Sequence, residues 1–289
     1  MTDWKGKSIL IIATLDTKGA EVLYLKRLIE ESGHRCLVMD TGTLNPPSFE
    51  PDIDRDEVAR AMGTTVQEIL KARDKGMAIH LMCEGSARVV SKLYETGRIE
   101  GVVGLGGAQG TDIGTRAMRA LPFGFPKLMV STVASGLNTF GTFVGTKDLT
   151  LMHSVVDILG LNAFLRSILA NAAGSIVGMV EKARSVERSE KKQIGMTIYG
   201  TTTLGAMEAK AYLEAKGYEI VAFHPNGTGG RAMEEMIEAG LFHGVLDFTT
   251  HELMDELVGG GHRAGPNRLE AAGKMGIPQV VAPGSVDFI

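Results

Sequence analysis

The sequence predicts an α/β fold of two Rossmann-like parallel-sheet halves with a cleft between them, the second half cut short. Three observations carry this. Short apolar runs recur along the chain, mostly followed by stretches with helical spacing, the alternation that builds βαβ units. The runs are continuous rather than alternating, as strands buried on both faces require. The 37 glycines, against 9 prolines, fall mostly at the ends of those runs, where chain reversal and close ligand approach need a residue without a side chain.

The elements follow in order. Residues 8–14 (SILIIAT) form a buried strand, followed by a helix with Val22, Leu25, Leu28 and Ile29 on one face, stopped by Gly33. Residues 35–40 form a second strand, and 45–54, with three prolines, a loop. Thr65 with Glu68 makes a capping box ahead of a helix at 66–75. A strand is expected at 77–83, a helix at 87–94, a strand at 101–105, a helix after Thr111 and a strand at 127–131. Residues 161–182 carry Phe164, Leu165, Ile168, Leu169, Ala172, Ile176 and Val180 at helical spacing, which marks a core or dimer helix. The charged segment 184–192 reads as a linker or a solvated helix end, dividing a first domain at 1–185 from a second at 193–289. In the second, strands are expected at 194–198, 219–223, 244–248 and 279–282, with helices at 204–216 and 231–239. No closing element follows the last strand, so this domain is expected to be incomplete at its C-terminus.

Composition narrows the function. Hydrophobic residues at 44% and charged residues at 22% exclude disorder as the dominant state. Net charge is -4 with a pI near 6.0, so neither nucleic acid nor a membrane surface is the expected partner. No run approaches the roughly 18 apolar residues of a membrane span. The first five residues lack the layout of a signal peptide, and two cysteines, Cys36 and Cys83, suit buried thiols in a reducing cytoplasm. A cytoplasmic homodimer is the expectation.

Three glycine-rich loops point to an anion. The first, Gly104 to Thr111, follows a strand and precedes a helix, so Gly106, Gly107, Ala108, Gln109, Gly110 and Thr111 are candidate binding residues. Its spacing is neither G-x-G-x-x-G nor a Walker loop. In the second, Gly227, Thr228, Gly229 and Gly230 precede Arg231, a cation that opposes the helix dipole unless an anion is bound there. The third, around Thr201 and Thr202, reads equally as an anion contact and as a helix cap. Thr14, Asp16, Thr17 and Lys18 follow the first strand, and Glu84 follows the expected strand at 77–83. Asp16 and Glu84 could hold Mg²⁺ if phosphates are bound, although Asp16 could equally cap its helix. No H-E-x-x-H, C-x-x-C or G-x-S-x-G occurs, and no hydrolytic triad stands out.

Several long strings occur in a characteristic order: IATLDTKG, GLGGAQGT, STVASG, VGTKDL, HSVVDILGLN, FHPNGTGGRAME and GVLDFTTHEL. Together, over almost the whole chain, they resemble the ATP-binding domain family related to the tobamovirus resistance protein. The resemblance implies two Rossmann-like halves, ATP as ligand and a tendency to dimerise; its members usually continue past the PGSVDF end seen here. It implies no reaction. Two functions are therefore carried: an ATP-dependent enzyme acting on a small-molecule substrate, and a nucleotide-binding regulatory or interaction protein without turnover. A periplasmic sugar-binding protein would share two such halves, but the lack of an export signal weighs against it.

Overall fold

The computed structural model describes residues 6–71, 74–135, 141–184 and 189–288. Residues 185–188 of the linker and Gly136 of the STVASG string lie outside them. The chain divides into two compact units, Met1–Val186 and Glu187–Ile289.

The first unit runs β1 (Ser8–Ala13), α1 (Leu15–Glu31), β2 (Arg35–Asp40), α2 (Arg55–Arg60), α3 (Val66–Lys71), α4 (Lys75–Glu95) and β3 (Gly101–Gly106). It continues α5 (Ala108–Arg119), β4 (Lys127–Ser131), α6 (Gly141–Val144), β5 (Thr150–His153) and α7 (Ala163–Lys182). The five strands are parallel, in the order β2-β1-β3-β4-β5. Pleating sends alternate residues to opposite faces. Ile9, Ile11, Val38, Val103 and Leu128 pack against α1 and α7. Leu10, Ile12, Met39, Val102 and Met129 pack against α2, α3, α4 and α5. The apolar stripe of α7, Leu165, Leu169, Ala172, Ile176 and Val180, is thus taken up by the core of its own unit. This helix is long and apolar enough to cross a membrane by length and composition, and Phe164 is left 72% exposed.

The run at 77–83 is helix, not strand. Asp74 accepts the Met77 amide at 2.9 Å and so caps α4, and Met82, Val89, Val90 and Leu93 recur at helical spacing in one cluster. Gly85 lies inside this helix because a Cβ there would stand 2.3 Å from the Val58 carbonyl oxygen of α2. The capping box at Thr65 and Glu68 forms, at 2.9 and 3.2 Å, but its helix ends at Lys71. The prolines at 46, 47 and 51 do lie in a loop, after which Asp54 caps the unforeseen α2.

The second unit runs β6 (Gln193–Thr197), a 3-10 turn (Gly200–Thr202), α8 (Thr203–Ala215), β7 (Glu219–Phe223), α9 (Thr228–Glu238) and β8 (Gly244–Thr249). Next come α10 (His251–Val258), α11 (Ala271–Met275) and β9 (Gln279–Gly284). Its four parallel strands take the order β7-β6-β8-β9, so this sheet is the smaller. Met233, Ile237, Ala271 and Ala272 cover Val245 on one face, while Gly205 lets α8 approach Phe248 on the other. Helix α9 begins three residues earlier than expected, so Thr228, Gly229 and Gly230 are helical rather than loop. Helices α10 and α11 were not foreseen.

Burial pushes the Cys36 thiol up to about 12 and the Cys83 thiol up to about 11. Native protein at neutral pH should therefore be alkylated slowly by iodoacetamide at both positions and completely in denaturant. Labelling of Cys36 at a free-thiol rate in the folded protein would contradict this core.

Candidate functional site

In the first unit, α1 leaves β1 toward one face of the sheet and α5 leaves β3 toward the other. Between two loops that diverge like this, at the carboxyl ends of neighbouring parallel strands, a crevice must open. A pocket of about 180 Å³ lies there. Thr14, Asp16, Thr17 and Lys18 line one side, Gly107, Ala108, Gln109 and Gly110 the other, and Thr43 and Leu44 complete it. A larger cavity, about 510 Å³, opens at the amino end of the same sheet, where Lys7, Glu100 and Pro126 lead into β1, β3 and β4. Ligands of open parallel sheets bind at the carboxyl end, so the smaller pocket is the better candidate.

The glycine loop is built for close approach. A Cβ on Gly106 would stand 2.7 Å from the Gly110 Cα, so the strand can turn into α5 only without one. The first intrahelical bond of α5 runs from Thr111 N to Gly107 O, leaving the amides of Ala108, Gln109 and Gly110 ahead of the helix's own ladder. Thr111 does not line the pocket: its hydroxyl donates to Gly107 O at 2.7 Å and lies 2.6 Å from Ser131 Oγ, fully buried. Gln109 Nε2 donates to Thr43 Oγ1 at 3.4 Å.

Across the pocket the side chains are largely engaged. Asp16 Oδ2 accepts the amides of Leu44 and Asn45 at 2.9 and 3.3 Å, fixing a loop 28 residues away instead of capping its own helix. Lys18 Nζ donates to Ile158 O at 2.5 Å, and the backbone departs from helical geometry at this residue. Thr14 and Thr17 hydroxyls lie 3.0 Å apart. Behind them Asp40, at the end of β2 and overlooked in the sequence, accepts the amides of Leu15 and Gly42 at 2.9 and 2.8 Å. Burial raises its pKa, against the pull of those two amides.

Glu84 has no place in this pocket. It lies inside α4, not after a strand, and takes both Arg116 bonds, at 2.7 and 2.8 Å. The Arg116 guanidinium bonded to it lowers its pKa. The structure therefore does not bring Asp16 and Glu84 to one metal.

The second unit corrects the reading of the other loops. Gly227, with φ +89°, donates its amide to Glu252 Oε1 at 2.7 Å, and Gly230 donates to the same oxygen at 3.0 Å. The anion expected at this loop is thus a carboxylate of the same unit. Gly229 is required by packing, since a Cβ there would stand 1.9 Å from His224 O. Arg231 is exposed, and its Nε donates to Gly227 O at 2.8 Å. That carbonyl is a partner for the guanidinium within its own helix start. Thr201 and Thr202 hydroxyls lie 2.5 and 2.6 Å from Ser285 and Thr249 hydroxyls, and Thr202 closes the turn onto the Tyr199 amide. Of the two readings, the cap is the one formed.

What holds these pieces is Arg268. Its side chain is 1% exposed and bonds Glu252 at 2.9 Å, Glu234 at 2.7 Å and Asp247. Burial lowers the guanidinium pKa, but Asp247 and then Glu252 outweigh it and raise it overall. Glu234 also accepts the amides of Leu269 and Ala271, both at 2.8 Å. Replacing Arg268 with Met should therefore leave buried carboxylates unpaired and cost about 3–5 kcal/mol. Denaturant unfolding of the chain checks this; an unchanged midpoint would refute it.

Residues 7–185 match the N-terminal domain of an uncharacterised protein family, UPF0261, and residues 191–289 its C-terminal domain. The chain is 48% identical over 284 residues to a UPF0261 protein of Clostridium tetani, covering 98% of this chain and 70% of that one. It is 38% identical over 220 residues to the ToMV resistance protein Tm-1 of Solanum lycopersicum, covering 74% of this chain and 29% of that one. Among solved structures, the UDP-GlcNAc 2-epimerase from Methanocaldococcus jannaschii aligns with 95% of this chain and 83% of its own, at 11% identity and a TM-score of 0.31. Matches to both domain models over nearly the full length make the chain a member of the UPF0261 family.

Proposed function

We propose that the first unit binds the phosphate groups of a nucleotide, ATP, in the pocket between the 14–18 and 107–110 segments. The observation that carries this reading is the coincidence of three features. The pocket sits where the crossovers diverge, the first-turn amides of α5 border it, and Gly107 leaves its backbone open. Geometry supports an anion; the family resemblance read from the sequence narrows it to ATP. At about 180 Å³ the pocket takes phosphates and leaves base and ribose outside. Asp16 is the carboxylate beside any Mg²⁺ carried in with them. The two thiols outside any disulfide, Cys36 buried and Cys83 half-buried, suit a reducing cytoplasm.

The pocket offers binding groups rather than a nucleophile with an adjacent base, which favours nucleotide binding without turnover over an ATP-dependent enzyme. ATP consumption against small acids and sugars separates the two.

Gly107→Val provides the direct test. Its backbone is extended (φ -78°, ψ -158°) and the nearest atom to an added Cβ is Thr132 Oγ1 at 3.7 Å, so the variant should fold. ATP affinity in calorimetry should fall at least about 10-fold, roughly 1.4 kcal/mol, with the thermal midpoint unchanged. Equal affinity in variant and parent would place the site elsewhere. Self-association is proposed on the exposed Phe164 at the start of α7, with Leu159 nearby 73% exposed. Light scattering at micromolar concentration should report a dimer that Phe164→Ser weakens; a monomeric parent refutes it.

A further inference from the structure

The second sheet repeats the winding of the first over four strands, and its crossovers likewise diverge between β6 and β8. At that point the chain places imidazoles. We propose that His251, Asp255 and His262 bind one divalent transition-metal ion of the zinc class, leaving a coordination position open to a further ligand.

His251 opens α10 directly after β8, and Asp255 follows one turn later on the same face. The glycine turn 259–261 then brings back His262. His251 Nε2 lies 3.2 Å from His262 Nδ1 and 3.6 Å from Asp255 Oδ1, and His262 Nδ1 lies 3.9 Å from Asp255 Oδ2. Ligand atoms on a tetrahedral zinc with bonds of about 2.0–2.1 Å stand roughly 3.3 Å apart, and one ligand atom from each of the three residues already lies within 4.8 Å of the other two, so the cluster closes on an ion by side-chain contraction.

A second observation is independent of that spacing. Asp255 is 1% exposed, and its Oδ1 is buried with no hydrogen-bond partner. His251 Nδ1 lies 3.0 Å from the Ser285 carbonyl oxygen, which can only accept. The ring proton of neutral His251 therefore sits on Nδ1, and the Nε2 lone pair faces His262 Nδ1 at 3.2 Å and Asp255 Oδ1 at 3.6 Å. That lone pair can accept from His262 Nδ1, but Asp255 Oδ1 is left buried without a hydrogen bond, an arrangement that a cation satisfies. The Nδ1–carbonyl bond is also how metal-bound histidines are held in tautomer and orientation.

The surroundings are consistent with a built site. His262 N donates to Asp255 Oδ2 at 2.6 Å, and a Cβ on Gly260 would stand 2.3 Å from the Asp255 carboxyl carbon, so the glycine turn wraps that carboxylate. Phe288 stacks on His251 with centroids 4.7 Å apart, and Tyr199 lies 5.3 Å away. His262, 42% exposed at its side chain, gives an ion its entry. Two imidazoles and one carboxylate select a zinc-class ion over Mg²⁺ or Ca²⁺, which favour all-oxygen sets, and three protein ligands leave the next position free.

Calorimetric titration of the metal-stripped chain with Zn²⁺ should show one ion bound per chain, and Co²⁺ should give a visible band of low-symmetry coordination. His262→Ala, at a half-exposed position that leaves the core intact, should weaken Zn²⁺ binding at least about 100-fold. Asp255→Asn should do the same, and His80→Ala, an exposed histidine of the first unit, should change nothing. If Asp255→Asn fails to fold, His262→Ala decides alone, with circular dichroism confirming its fold. Absence of Zn²⁺ binding in the parent would overturn the proposal and identify the cluster as a hydrogen-bonded histidine pair; binding that survives His262→Ala would also overturn it.

Discussion

A parallel strand cannot return to its neighbour by a hairpin; it needs a crossover, and the crossover must lie on one face or the other. In both sheets the chain first winds outward from a central strand and then back past it. The helices that follow β1 and β3 consequently start on opposite faces, as do those packed beside β6 and β8. That constraint fixes where irregular backbone can gather without losing its hydrogen bonds to the core. The polar groups of both candidate sites sit there: the amides of α5 in the first unit, and the histidines with Asp255 in the second.

The two ends carry opposite chemistry. In the first unit, amide groups lead a helix whose opening residues have no side-chain cap, and the nearby carboxylates of Asp16 and Asp40 are turned to backbone loops. In the second, the equivalent amides at Gly227 and Gly230 are filled by Glu252, itself fixed by Arg268. A helix N-terminus invites negative charge, and here a side chain from 22 or 25 residues on supplies it. Similar glycine-rich strings thus have different fates, decided by which side chain the fold delivers to them.

Residues 8–14, 101–105 and 127–131 were legible as strands because β-branched and aliphatic runs end in glycine or polar loops. The pocket residues 14–18 and 107–110 were legible for the same reason, since a motif at a strand end inherits its place from the strand. The run Met77 to Cys83 was not, because a short apolar stretch fits a buried strand and a buried helix equally, and only the cap at Asp74 distinguishes them. The Gly227–Gly230 segment misled because its partner is distant in sequence. His251 and Asp255 had a visible signal, four residues apart on one helix face, but His262 joins them only through the turn at 259–261. Arg268 and its three carboxylates are spread over residues 234–268, and nothing local announces them.

Ser285 adopts φ +59°, a left-handed backbone that a serine rarely takes, and from there its carbonyl meets His251. Its hydroxyl meets Thr201 at 2.5 Å, so one residue after β9 ties together segments following β6 and β8. Displacing the 285–288 segment would release the imidazole's outer nitrogen at the same moment. Any ion bound by His251 would therefore be thermodynamically linked to local opening of this segment: occupancy would protect its amides from solvent exchange, and opening would lower occupancy by the same free energy.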